Sequence, residues 1–182
     1  KFIEMIGQDI QKAAELLKGG ALVAIPTETV YGLAANALDT TAVARIFEAK
    51  ERPSFDPLII HTDSLDKIKP LVKEIPAKLL KLVEEFSPGP LTILLEKESA
   101  VPDLVTSGLP TVAVRIPAHP VCRKLLSQLD FPLAAPSANP FGYISPTRAK
   151  HVQDQLGDKV DYILDGGNCD FGVESTIVKL TD

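Results

Sequence analysis

Short runs of branched apolar residues alternate along this chain with amphipathic helical stretches, and no repeat period or low-complexity linker interrupts them. A chain of that pattern buries its strands under helices, so the expected product is one α/β domain around an open, twisted mixed sheet. The spacing predicts a first helix over 6–18, with Ile10, Ala13, Ala14 and Leu17 on one face. Gly19-Gly20 ends it, glycine tolerating the left-handed backbone of a helix stop. ALVAI at 21–25 reads as a buried strand, and PTETVYGLAANALD after it as a loop. Val43, Ile46 and Phe47 mark a second helix entered through Thr40 or Thr41. PLIIH at 57–61 is a strand, and helices follow near Ser64 and from Pro76. SPGP at 87–90 turns the chain into the strand LTILL. TVAVRI at 111–116 alternates strictly, with Val112, Val114 and Ile116 to one side and Thr111, Ala113 and Arg115 to the other. A helix from Pro120, the strand PLAA, a helix entered at Ser145-Pro146, and strands near YILD and STIVKL complete the series.

At 182 residues, with 45% apolar and 24% charged side chains, the chain is large enough to bury one core. A net charge of -5 speaks against a surface coated in Lys and Arg, though it leaves room for a local basic cleft. The longest apolar runs are too short to span a bilayer. KFIEMIGQDI at the start lacks the apolar core and cleavage site of a secretory signal. Cys122 and Cys169 have no CxxC and no histidine at ligand spacing, which disfavours zinc and suits a reducing compartment.

Familiar nucleotide and hydrolase signatures are missing: no GxxxxGK(S/T), no GxGxxG after a strand, no GxSxG and no HExxH. Other residues carry the chemistry. Lys50 and Arg52 are either solvated cations at a helix end or a pair aimed at one anion, and Pro53 takes Arg52 out of helical geometry. Arg115 sits inside an apolar strand, where an unpaired guanidinium would cost several kcal/mol. Its partner is either a structural Asp or Glu, or a bound carboxylate or phosphate. Ser137, Asn139, Ser145 and Thr147 offer hydroxyls and an amide at a strand end and a helix start, as turn and cap groups or as phosphate donors. His61 ends a strand beside them, and His119 and His151 read as helix-end and surface residues.

Taken in order, PTETVYGLAANA, KERP, PLIIH, SPGPLTILL, VAVRIPAHP, APSAN, SPT and ESTIV resemble the YrdC family of threonylcarbamoyl-AMP synthases, from about Ile6 to Lys179. The resemblance implies an open α/β domain with a large, positively charged concave cavity. It also implies a cytoplasmic nucleotidyltransferase that joins L-threonine, bicarbonate and ATP into threonylcarbamoyl-AMP, releasing pyrophosphate. A partner threonylcarbamoyl transferase would then modify the adenosine beside the tRNA anticodon. Carried over by position, Thr29, His61, Arg115 and Ser175 would bind L-threonine, with Ala135 contributing backbone. Lys50, Arg52, Thr111, Ser137, Asn139 and Ser145 would bind ATP, with Lys50 and Arg52 as the catalytic cations. Asp56 stands where relatives often have Asn, and would approach the nucleotide without an amide's donors. Attack of a threonine N-carboxylate on the α-phosphorus brings two anions together, so positive charge and positioning should outweigh acid–base groups. Mg²⁺ would be held mainly by phosphates and water, so no ligand cluster is required.

Two rivals remain. One is a noncatalytic RNA-binding module, or weak RNA binding, on the same concave surface; the net charge and the lack of aromatic stacking platforms count against it. The other is the carbamoyladenylate-forming domain of hydrogenase maturation, which sits in a longer chain with zinc-finger-like cysteines. Family members continue past STIVKL into a segment with a further arginine, and many add a linker and second domain. The domain is therefore expected to span 1–182, trimmed or complete at its C-terminus.

Overall fold

The computed structural model describes residues 5–181; the remaining ends of the expected 1–182 domain lie outside the described residues. In chain order the elements are β1 (Ile6–Gly7), α1 (Ile10–Lys18), β2 (Val23–Ile25), β3 (Gly32–Asn36), α2 (Thr40–Lys50), β4 (Ile59–His61), α3 (Leu65–Ile68) and α4 (Ala77–Phe86). Then come β5 (Leu91–Glu96), α5 (Asp103–Thr106), β6 (Thr111–Arg115), α6 (Pro120–Leu126), β7 (Leu133–Ala134), α7 (Ala149–Leu156), β8 (Tyr162–Leu164) and β9 (Thr176–Val178). The strands form a single mixed sheet in the order β1-β8-β2-β3-β7-β4-β6-β5-β9. Four neighbouring pairs are parallel (β1 with β8, β8 with β2, β4 with β6, β5 with β9) and the other four are antiparallel.

Four boundaries differ from the expectation, each for a local reason. The first helix starts at Ile10 because Asp9 caps it, accepting from Lys12 N at 3.0 Å, while Ile6 and Gly7 pair with β8 instead. The second helix is capped by Asp39, not by Thr40 or Thr41; its carboxylate accepts from Thr41 N at 2.9 Å and Ala42 N at 3.2 Å. The loop expected after β2 contains strand β3, whose glycine and alanines fit a position buried on both faces but carry little strand propensity. The helix expected from Ser145-Pro146 starts at Ala149, because Pro146 O accepts Tyr31 N at 2.8 Å and keeps the chain extended beside β3. Gly19-Gly20 does end α1: Gly20 has φ 79°, and Gly20 N and Ala21 N return to Leu17 O and Leu16 O.

The two faces of the sheet are covered unequally. One face packs its larger core against α2, α4 and α7, through residues such as Ile46, Leu79 and Val152. On the other, α1 and α6 bury Ala13, Leu17, Cys122 and Leu125 against Val23, Ile25, Ala34, Leu133 and Tyr162. That cover stops at β7. Following the register across, Leu133 opposes His61, His61 opposes Arg115, and Arg115 opposes Thr92. The face beneath α1 and α6 thus continues over β4, β6 and β5 as a floor on which, among the described residues, neither of these two helices packs. Asp39→Ala should lower stability by about 1 kcal/mol through loss of the α2 cap, with Asp39→Ser recovering most of it in urea titrations.

Candidate functional site

The uncovered floor holds two adjoining cavities. The smaller, about 40 Å³, is lined by Thr29, His61, Arg115, Ala135 and Ser175 among others, so the five residues assigned to L-threonine lie together. The larger, about 460 Å³, is lined by Arg52, Asp56, Thr111, Ser137 and the apolar Ile59, Ala113 and Leu94. Ile59, Pro136, Ser137, Glu174 and Ser175 line both, forming the wall between them.

Arg115 is the best-determined group of the site. It is 4% exposed and gives Nη2 to Glu28 Oε1 at 2.6 Å, Nη1 to Thr29 Oγ1 at 3.0 Å and Nε to Gly89 O at 3.2 Å. Glu28 Oε2 also accepts Ala118 N at 3.0 Å. Of the two partners open to Arg115 from sequence, the structural carboxylate is therefore present, and it is Glu28. The β2–β3 connection delivers it: Thr27 Oγ1 accepts from Thr29 N and Val30 N and donates to Val30 O, curling PTETVYG so that Glu28 and Thr29 meet Arg115. Three donor contacts leave part of the guanidinium fork uncommitted.

His61 lies beside Arg115 on the neighbouring strand. Its Nδ1 is 3.2 Å from Ile59 O, which can only accept, so Nδ1 carries the proton and Nε2 is an acceptor. Burial, reinforced by the Arg115 cation, pushes His61 down to about 3, and the ring is neutral at ordinary pH. Ser175 Oγ is 2.7 Å from Thr92 Oγ1, which fastens β9's approach to the same row of the sheet.

The residues assigned to ATP divide. Arg52 lines the larger cavity while pairing with Asp56 Oδ2 at 2.8 Å, and its guanidinium lies 5.8 Å from the Phe141 ring. Asp56 is thus committed to Arg52. Lys50, Asn139 and Ser145 line neither cavity. Lys50 is 1% exposed, not a solvated helix end; Nζ donates to the carbonyls of Ser137 and Asn139, strapping α2 to the SAN loop. Burial and then Arg52 push its ammonium down to about 7. Asn139 braces the same loop through Pro140 O and Tyr143 O, and Ser145 Oγ donates to Glu174 Oε1 at 2.6 Å. His119 is buried at the head of α6 rather than on the surface, whereas His151 is exposed.

Thr27, Glu28, Thr92 and Glu174 belong to the site without having been singled out from sequence. The demand of Arg115 for a partner was the only signal for Glu28. Glu28→Ala should cost about 3–5 kcal/mol in denaturant titrations, because it strands a buried cation; Glu28→Gln should cost less, its amide oxygen still accepting. His61 binds its proton in the unfolded chain near 6.5 but in the fold only near 3, so its contribution to stability is lost as pH falls through that window. The urea midpoint of His61→Gln should therefore fall less than that of the unsubstituted protein between pH 7 and pH 4.

Comparison with known proteins places the chain in a family. The Sua5/YciO/YrdC family model, described as telomere recombination, matches residues 15–182. The threonylcarbamoyl-AMP synthase of Pyrococcus abyssi is 53% identical over 173 residues, covering 95% of this chain and 51% of that protein. That of Bacillus subtilis is 47% identical over 174 residues, covering 95% and 50%. The chain spans about half the length of these curated relatives. Among solved structures, P. abyssi Sua5 complexed with L-threonine matches with a TM-score of 0.94 at 49% identity, over 98% of this chain and 54% of that one. With a family model covering most of its length and a sheet that superposes on a solved member, the chain belongs to the Sua5/YciO/YrdC family.

Proposed function

We propose that this chain is the YrdC-like domain of a cytoplasmic L-threonylcarbamoyladenylate synthase, forming threonylcarbamoyl-AMP and pyrophosphate from L-threonine, bicarbonate and ATP. The observation that carries the proposal is the grouping of Thr29, His61, Arg115, Ala135 and Ser175 around one small cavity that opens beside a cleft walled by Arg52, Thr111 and Ser137. The names of the relatives, and the L-threonine in the P. abyssi Sua5 structure, supply the substrate class.

The chemistry follows from the placement. Arg115 faces an amino-acid carboxylate with donors in a planar fork, and neutral His61 presents an acceptor to a hydroxyl or amine. The adenine and ribose lie against Ile59, Ala113 and Leu94, and Arg52 and Ser137 address the phosphates. Lys50 acts from behind by fixing the carbonyls of the SAN loop, so that the loop's outward groups keep their aim. Among the described residues no group of three or more His, Cys, Asp or Glu could hold a metal ion. Mg²⁺ would enter on the triphosphate, with water and phosphate as its ligands, and supply charge neutralisation there. The product would pass to a threonylcarbamoyl transferase that acts on tRNA. No helix among the described residues is long and apolar enough to cross a membrane.

Pyrophosphate release should require ATP, L-threonine and bicarbonate together, and release that ignores threonine would sink the proposal. Arg115→Lys keeps a cation for Glu28 but loses the planar fork, so KM for L-threonine should rise about tenfold or more with the fold retained. RNA binding without turnover would favour the noncatalytic rival.

A further inference from the structure

We infer that the Glu174 carboxylate is the counter-ion of the substrate's α-ammonium group, so that the small cavity recognises its amino acid as a zwitterion. The inference rests on the assignment of that cavity to L-threonine. Among the described residues, only two charged side chains line it, and they are of opposite sign: Arg115 and Glu174. An amino acid arrives with both charges, and each must exchange its hydration for a partner in the protein. Arg115 answers the carboxylate. The ammonium needs an anion or several acceptors, and the other candidates are taken or uncharged.

Glu28 cannot serve, since one oxygen is held by Arg115 and the other by Ala118 N–H. Asp56 lines only the larger cleft and is paired with Arg52. His61 is neutral and offers a single lone pair. Glu174 is different on each count. Its Oε1 accepts the Ser145 hydroxyl at 2.6 Å, and no described protein group donates to its Oε2. The residue is exposed, so an arriving ammonium group can reach its free oxygen.

The position of Glu174 also sets the direction in which the substrate lies. Arg115 is buried at the inner end of the small cavity, whereas Glu174 stands in the wall shared with the larger cleft. A zwitterion spanning the two has its carboxylate inward and its nitrogen at the mouth, facing the nucleotide side. That nitrogen must give up a proton and then attack bicarbonate, with loss of water, to form the carbamate before it meets the α-phosphorus. An isolated surface pair in this place would be weak, and a substrate filling the cavity would displace part of the competing water.

The test is calorimetric titration of the unsubstituted protein and Glu174→Gln with L-threonine and with its analogue bearing a hydroxyl in place of the α-amine. Glu174→Gln should weaken L-threonine about tenfold or more, equivalent to 1.4 kcal/mol, and leave the analogue within about twofold. Glu174→Asp, which keeps the charge, should retain part of the affinity. Equal L-threonine affinity in the two proteins overturns the inference alone, as does a parallel loss of both ligands. An unsubstituted protein that binds no L-threonine overturns the cavity assignment, and this inference with it.

Discussion

Two helices are too few to cover one face of a nine-stranded sheet. Because α1 and α6 stop at β7, the side chains of β4, β6 and β5 that point the same way meet neither of these helices among the described residues. Strand alternation does the rest. Odd positions of TVAVR and the end of IIH face the open floor, while Val112, Val114 and Ile60 face the larger core on the other side. The cleft is thus the unfinished half of a sandwich, and its floor is carried by strands packed on the core beneath it.

Burying charge on that floor creates a requirement that the loops then meet. Arg115 and Glu28 are both almost fully buried, and a buried ion pair gains little net stability over an apolar pair of the same shape. Its effect lies in geometry. The guanidinium is held on three sides by the β2–β3 connection and Gly89, so its remaining donors have one direction in which to act. Lys50 shows the same principle one step removed: a buried ammonium is satisfied by the carbonyls of the loop whose Ser137 lines both cavities. In both cases a cation that would bind an anion also organises the protein around it.

The segments with strong periodicity were legible from sequence. TVAVRI placed Thr111 and Arg115 on one face, PLIIH placed His61 at a strand end, and the stripes of α1 and α4 were read from their spacing. Strand β3 was not legible, since Gly-Leu-Ala-Ala-Asn has neither branching nor polar alternation when both faces are buried. The start of α7 was misplaced because Ser145-Pro146 has the composition of a helix entry, while Tyr31, far away in sequence, claims Pro146's carbonyl.

By itself the sequence determined the α/β class, the alternation that aims Arg115 and Thr111 together, and the need of a strand-borne arginine for an anion, because those follow from local period and desolvation. Only the tertiary structure decided which anion. Glu28 reaches Arg115 across 87 positions of chain, and Glu174 comes to the wall between the cavities from the far edge of the sheet. No local spacing encodes either approach, since both are set by strand order, and strand order is a property of the whole sheet.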